Sequence, residues 1–168
     1  GVLRGLQKWL DHELKKRRIS GKEMVAPLSL NAIKDRRAEF YFNALSVIRD
    51  EPLVGLGQDI SGFPVIWANA GGRWYQSAGL NITMALTKAL ERALTDTQPI
   101  EGGAVMLTET RKNLDIPVYE GLQKTLHSAL HTIEQNGLQL TVYDLPIEPF
   151  FKEALAGVYA VRVKKEEV

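Results

Sequence analysis

Leucines recur at positions 3, 6, 10 and 14. Steps of three and four residues put all four on one stripe of a helix. The pattern predicts an amphipathic helix over residues 3–18, closed by the basic run Lys15-Lys16-Arg17-Arg18. Those cations suit the negative end of the helix dipole. The run stops after one turn, so it reads as a solvated terminus rather than a phosphate patch. No Ser, Thr, Asp or Asn precedes the stripe to cap it. A helix that begins mid-pattern predicts a piece of a longer polypeptide, with Gly1 as the scar of a cleaved tag.

Residues 19–36 hold Gly21, Pro27 and scattered charges with weak periodicity. They are expected to form a connector and the internal hinge. Residues 38–48 (AEFYFNALSVI) are aromatic and β-branched, bounded by charges and Pro52, and read as a strand. Residues 53–62 carry Gly55, Gly57 and Gly62 and read as a loop. Gly55-Leu56-Gly57 is no nucleotide fingerprint, because the third glycine is misplaced and no helix opens after it.

The stretch from Phe63 to Thr97 is the most informative. Strands over 63–69 and 73–78 flank Ala70-Gly71-Gly72, where glycine supplies the positive φ of a hairpin turn. Asn81 then caps a helix over 82–96. Its apolar positions Ile82, Leu86, Ala89, Leu90 and Ala93 keep a helical period. Ala85, Ala89 and Ala93 recur every four residues, giving a narrow flank for close approach to a sheet.

Further on, a short strand is expected over 104–107, followed by a polar loop. Asp115 is placed to cap a helix from Ile116 or Pro117. Leu122, Leu126, Ala129, Leu130 and Ile133 form its stripe, and Asn136-Gly137 ends it in a left-handed cap. A strand over 138–143, a turn with Pro146 and Pro149, a short helix over 150–156 and a strand over 158–163 complete the chain. The KKEEV tail is expected to fray. This order predicts one α/β (α+β) domain over residues 1–168: a two-layer arrangement, with a largely antiparallel mixed sheet and helices packed on one face.

Composition narrows the function. The 168 residues are long enough for one cored domain. A net charge of +1 gives no field to draw in nucleic acid or anionic membrane, so neither is an expected partner. The absence of cysteine removes disulfides, thiolate metal sites and cysteine nucleophiles, and fits a reducing cytoplasm. No apolar run reaches the ~20 residues of a membrane helix, and no signal-peptide core is visible.

Few residues suggest chemistry. His127, His131 and Glu134, with Glu120 nearby, share one helix face. That face lies opposite the leucine stripe, and the sequence His127-Ser128-Ala129-Leu130-His131 lacks the glutamate of a zinc-protease motif. It reads as a solvated polar face, and no metal is assigned. His12 stands alone. Trp9, Trp67 and Trp74 read as packing rather than a base-stacking platform. No nucleophile elbow, P-loop or paired-carboxylate motif occurs. Arg73, Glu91, Arg92 and Asp96 fall near the hairpin–helix junction. Glu91 and Arg92 diverge by about 100° on a helix. Arg92 and Asp96, at i and i+4, are expected to form a surface ion pair.

Three blocks together resemble the YcaO-type domain, the ATP-dependent enzymes that activate peptide backbone amides. The first is Gly62-Phe63-Pro64-Val65 with Gly79 and the helix Ala85-Leu86-Thr87-Lys88-Ala89-Leu90. The second is LHTIEQNGLQLTVYD, from Leu130 to Asp144. The third is the leading helix GLQKWLDHEL. The resemblance implies a YcaO-like fold and a part in maturing a thiazole/oxazole-containing peptide (a bacteriocin). Such enzymes hold ATP and Mg²⁺ with glutamates on the two helices, because hard cations require oxygen ligands. Here the expected acidic positions of the first helix fall on Lys8 and Asp11, and the expected Glu and Gln of the second fall on Arg92 and Asp96. Lys8 and Arg92 reverse the charge and cannot ligate a metal.

The resemblance therefore implies a degenerate YcaO-like domain that acts as a non-catalytic peptide-binding or scaffold unit. Its partners would be the precursor peptide and other maturation proteins, with a homodimer left open. The alternative is an active cyclodehydratase module using ATP and Mg²⁺, and a second is an unrelated α/β interaction domain. Asp11, Glu13, Glu91, Arg92 and Asp96 are the nucleotide/Mg²⁺ candidates.

Overall fold

The computed structural model describes residues 1–17, 22–144 and 159–166. Gly71 and Gly72 have φ of +61° and +80° and join β3 (Val65–Ala70) to β4 (Arg73–Ala78) in a tight hairpin. The hairpin feeds directly into α3 (Ile82–Thr95), where the Asn81 side chain accepts a hydrogen bond from the Met84 N–H at 2.8 Å. The strand–hairpin–helix block is thus as its local signals predict.

The protein is an α+β fold. Its main sheet has six strands: β4, β3, β2 (Leu53–Leu56) and β1 (Glu23–Ile33) in that order, with β5 (Val105–Leu107) and β6 (Lys112–Ile116) pairing with successive stretches of β1. The pairs among β1 to β4 are antiparallel, whereas β5 and β6 run parallel to β1. A separate antiparallel pair joins β7 (Leu138–Asp144) and β8 (Tyr159–Lys165). Among the described residues the α-helices are α1 (Val2–Arg17), α2 (Arg36–Ile48), α3 and α4 (Leu122–Gln135). None of them is long and apolar enough to cross a membrane.

β3 is buried on both faces, and its side chains sort the core by parity. Ile66, Ala68 and Ala70 pack with Ala38 and Leu45 of α2 and with Leu86, Ala89 and Leu90 of α3. This is the helical layer expected from sequence. Val65 and Trp67 pack on the other side with Leu6, Leu10 and Leu14 of α1, and with Ala129 and Ile133 of α4. Gly5 lets α1 pass close under β8, where a Cβ would lie 2.8 Å from the Val161 Cβ.

Several expectations are corrected. Residues 23–33 form the central strand β1 rather than a connector. Its apolar alternation is interrupted by Pro27, which lies opposite Gly55, where the neighbouring ladder changes from β5 to β6. A missing N–H is tolerated at such a break. Residues 38–48 form α2, not a strand. Asp35 caps it by accepting from the Ala38 N–H at 3.1 Å, and Ala38 and Leu45 lie two turns apart on its buried side. Within the expected loop 53–62, Leu53–Leu56 is strand β2. Asp115 lies in β6 opposite Ala32, so it caps nothing. α4 begins only after Gly121, with no side-chain cap. Leu122 and Leu130 of its expected buried stripe face solvent, and Thr125 is buried beside Ala129 and Ile133. Gly137, with φ of +64°, follows α4 as expected. Lys164 and Lys165 are not frayed but pair with Gln139 and Leu138. Arg18, the turn with Pro146 and Pro149, and the helix over 150–156 lie outside the described residues.

Candidate functional site

The sheet-facing flank of α3 is made of Ala85, Ala89 and Ala93, all fully buried. Small side chains let the helix sit close to the sheet, which leaves its long polar residues to point sideways toward α1. There Lys88 donates to both carboxylate oxygens of Asp11 at 2.8 and 2.9 Å. Gln7, one turn before Asp11 on α1, donates to the same carboxylate at 3.1 Å. Arg92 approaches it at 4.0 Å. Two cations and an amide therefore surround one carboxylate.

This cluster also seals the edge of the sheet. In an antiparallel ladder alternate residues turn their backbone groups outward, and on β4 these are Trp74, Gln76 and Ala78. Trp74 exchanges two backbone bonds with Ile100. The Gln76 carbonyl accepts from the Arg92 guanidinium at 2.6 Å, and the Ala78 carbonyl accepts from the Gln7 amide at 2.9 Å. An open edge strand invites pairing with other chains, and here each of these three carbonyls has a partner. Burial lowers the Arg92 pKa, opposed by the nearby charge of Asp11. The guanidinium remains cationic at any ordinary pH.

Beside the cluster lies a cleft of about 500 Å³. Gln7, Thr87, Lys88 and Glu91 line it, as do Asp35 and Arg37 at the start of α2 and Tyr119 from the segment between β6 and α4. Its polar groups are largely engaged within the chain. Asp35 accepts from the N–H groups of Ala38 and Tyr119, at 3.1 and 3.0 Å. Thr83 donates to the Pro117 carbonyl and Thr87 to the Thr83 carbonyl, both at 2.7 Å. Glu91 meets Arg37 at 3.6 Å.

The five sequence candidates therefore do not converge. Asp11 and Arg92 meet, and Glu91 lies nearby but turns to α2, in keeping with its divergence from Arg92. Glu13 pairs with Lys16 along α1, and Lys8 is exposed. Asp96 caps the far end of α3 in a left-handed conformation with φ of +51°. The expected Arg92–Asp96 pair is not formed. Arg92 is drawn to Asp11 and the β4 edge, and Asp96 instead accepts from the Tyr75 hydroxyl at 2.5 Å and from Arg73 at 3.0 Å. His127, His131 and Glu134 are exposed on α4. Among the described residues no three His, Cys, Asp or Glu side chains gather to hold a metal ion.

Lys88, Gln7 and Asp35 were not among the sequence candidates. Asp35 carried a readable signal, since it stands three residues before the bonded N–H of Ala38. Gln7 stands four residues before Asp11, a spacing that allows their bond, but its contact with Ala78 and that of Lys88 with Asp11 span 71 and 77 residues and left no local signal.

The Asp96 cluster makes a pH prediction. The Tyr75 hydrogen bond, then the charge of Arg73, hold the Asp96 carboxyl below its ordinary value. Burial and the bond to Asp96 push the Tyr75 phenol up, so it stays a donor at neutral pH. A depressed native pKa gives stability that is present above the unfolded value of about 3.9 and is lost as pH falls through the folded value. Tyr75→Phe is expected to move the NMR titration of the Asp96 carboxyl upward. An unchanged midpoint would contradict this assignment.

Comparison of the chain with protein-family models, curated proteins and solved structures gives no match.

Proposed function

We propose that this chain is a degenerate YcaO-like domain that takes part in maturing a thiazole/oxazole-containing peptide as a non-catalytic peptide-binding or scaffold unit. The observation that carries the reading is the state of Asp11, which is held between Lys88 and Arg92. A Mg²⁺–nucleotide site needs carboxylate oxygens with unspent negative charge. Here the carboxylate is neutralised within the chain, and Arg92, where the family pattern has a glutamate, is used as a strut between α1, α3 and the β4 edge. Asp96 is likewise committed to Tyr75 and Arg73. On this reading the partners are a precursor peptide and the catalytic proteins of a maturation complex, and the compartment is the cytoplasm.

Calorimetric titration of ATP with Mg²⁺ into the purified chain tests the proposal. The expected result is no binding at millimolar nucleotide, and no ATP hydrolysis when peptide is added. Binding abolished by Asp11→Ala or Asp96→Ala would overturn it in favour of an active ATP-dependent cyclodehydratase module.

A further inference from the structure

α2 has two apolar faces, and the core accounts for only one. Ala38 and Leu45, with Tyr41 and Phe42, pack against the sheet and α3. Phe40, Ala44, Val47 and Ile48 follow the i, i+4, i+7, i+8 spacing of a second stripe. Phe40 is 65%, Val47 85% and Ile48 67% exposed. Side chains of this kind on adjacent turns form a contiguous patch rather than scattered surface residues.

We infer that this face docks a second copy of the same chain, with the two α2 helices antiparallel across a twofold axis at Ala44. The stripe is self-complementary only in that arrangement. Positions equidistant from Ala44 meet across the axis, so Phe40 lies over Ile48 of the other copy. The small Ala44 sits where the helices approach most closely. The charges match in the same register. Arg36 and Arg37 open the helix, while exposed Asp50 and Glu51 lie just past its end. Across the axis the basic start of each helix comes against the acidic residues that follow the other, and does so twice by symmetry. Arg37 is already engaged with Glu91 at 3.6 Å and with the Tyr41 ring, which leaves Arg36 as the cation for this contact. Among the described residues Arg36, Asp50 and Glu51 have no ion-pair partner of their own. A parallel arrangement would instead set Arg36 and Arg37 against themselves. A patch built on one helix belongs with small interfaces, under about 1,200 Å² in total, which are weak and reversible. The dimer needs neither nucleotide nor peptide, so it stands or falls apart from the function proposed above.

The chain's lack of cysteine provides a clean test. Ala44→Cys introduces a single thiol on the axis, and mild oxidation is expected to join two copies through it. Asn43→Cys, which points off the stripe, is expected to cross-link far less. Sedimentation of the unmodified chain across a micromolar series should show a concentration-dependent dimer that Val47→Glu abolishes. Glu51→Arg, at the end that meets Arg36, should weaken it, and adding Arg36→Glu should restore it. All these positions are exposed or half-buried, so unchanged circular dichroism is expected throughout. A chain that stays monomeric across the series, or a dimer indifferent to Val47→Glu, would overturn the inference. So would equal cross-linking at positions 43 and 44.

Discussion

Arg92→Glu is expected to lower unfolding free energy by about 3 kcal/mol, the low end of the range for breaking a buried charged pair from one side, because Arg92 and Asp11 are partly buried. Three losses combine. The Gln76 carbonyl loses its 2.6 Å donor, a charge-assisted bond whose removal leaves a buried acceptor unpaired at about 1–3 kcal/mol. Asp11 gains a like charge in place of a cation. The β4 edge loses the side chain that covers it. Lys88 stays on Asp11 and limits the damage, which is why the effect is not larger.

Arg92→Met separates these contributions. It adds no repulsion, so the losses are the carbonyl bond and the weaker 4.0 Å contact with Asp11, and the expected effect falls to about 1–3 kcal/mol. Urea denaturation measures both variants through the midpoint at constant slope. Equal stability of Arg92→Glu and the unmodified chain would mean that Arg92 is not a strut. The argument that this position has been diverted from nucleotide binding would then fail with it.

What the sequence discloses depends on how far apart the cooperating residues lie. The block from β3 to α3 was legible because each signal is local: Gly71-Gly72 for the turn, Asn81 for the cap, and alanine every fourth residue for the close flank. α2 was misread for a reason the structure explains. With one apolar stripe in the core and a second facing outward, Phe40, Tyr41, Phe42, Leu45, Val47 and Ile48 crowd out the narrow polar stripe of Arg36, Glu39, Asn43 and Ser46, which alone keeps the helical period. Aromatic and β-branched content then favours a strand. β1 was missed because its partners are remote: Leu28 pairs with Val54 on one side and Lys112 on the other. The site followed the same rule. Arg92 was singled out in the sequence as a candidate. That it holds the β4 edge and faces Asp11 depends on α1 lying beside α3, and nothing in the local spacing of either helix states this.

Gly79 is expected to be the least replaceable glycine. It joins β4 to the cap of α3, and a Cβ built there would lie 2.8 Å from the Ala85 Cα and 2.9 Å from its Cβ, with the Ala85 backbone nitrogen closer still. No rotamer change relieves contact with a backbone. The first turn of α3 would have to lift, and with it Ala85, Leu86 and Ala89, all fully buried. Gly79→Ala is therefore expected to cost about 3 kcal/mol, the upper end of ordinary overpacking. Gly79→Val is expected to leave the chain unfolded. Two other glycines isolate the cause. Gly72 has open space around its Cβ position but φ of +80°, so Gly72→Ala should cost about 1–2 kcal/mol for the left-handed backbone alone. Gly103 has open space and no positive φ, and Gly103→Ala should be neutral within about 0.5 kcal/mol. Thermal and urea unfolding of the three alanine variants give the order. If Gly79→Ala proved no worse than Gly72→Ala, the close approach of α3 to the hairpin would be wrong, and with it the position from which Lys88 and Arg92 reach α1.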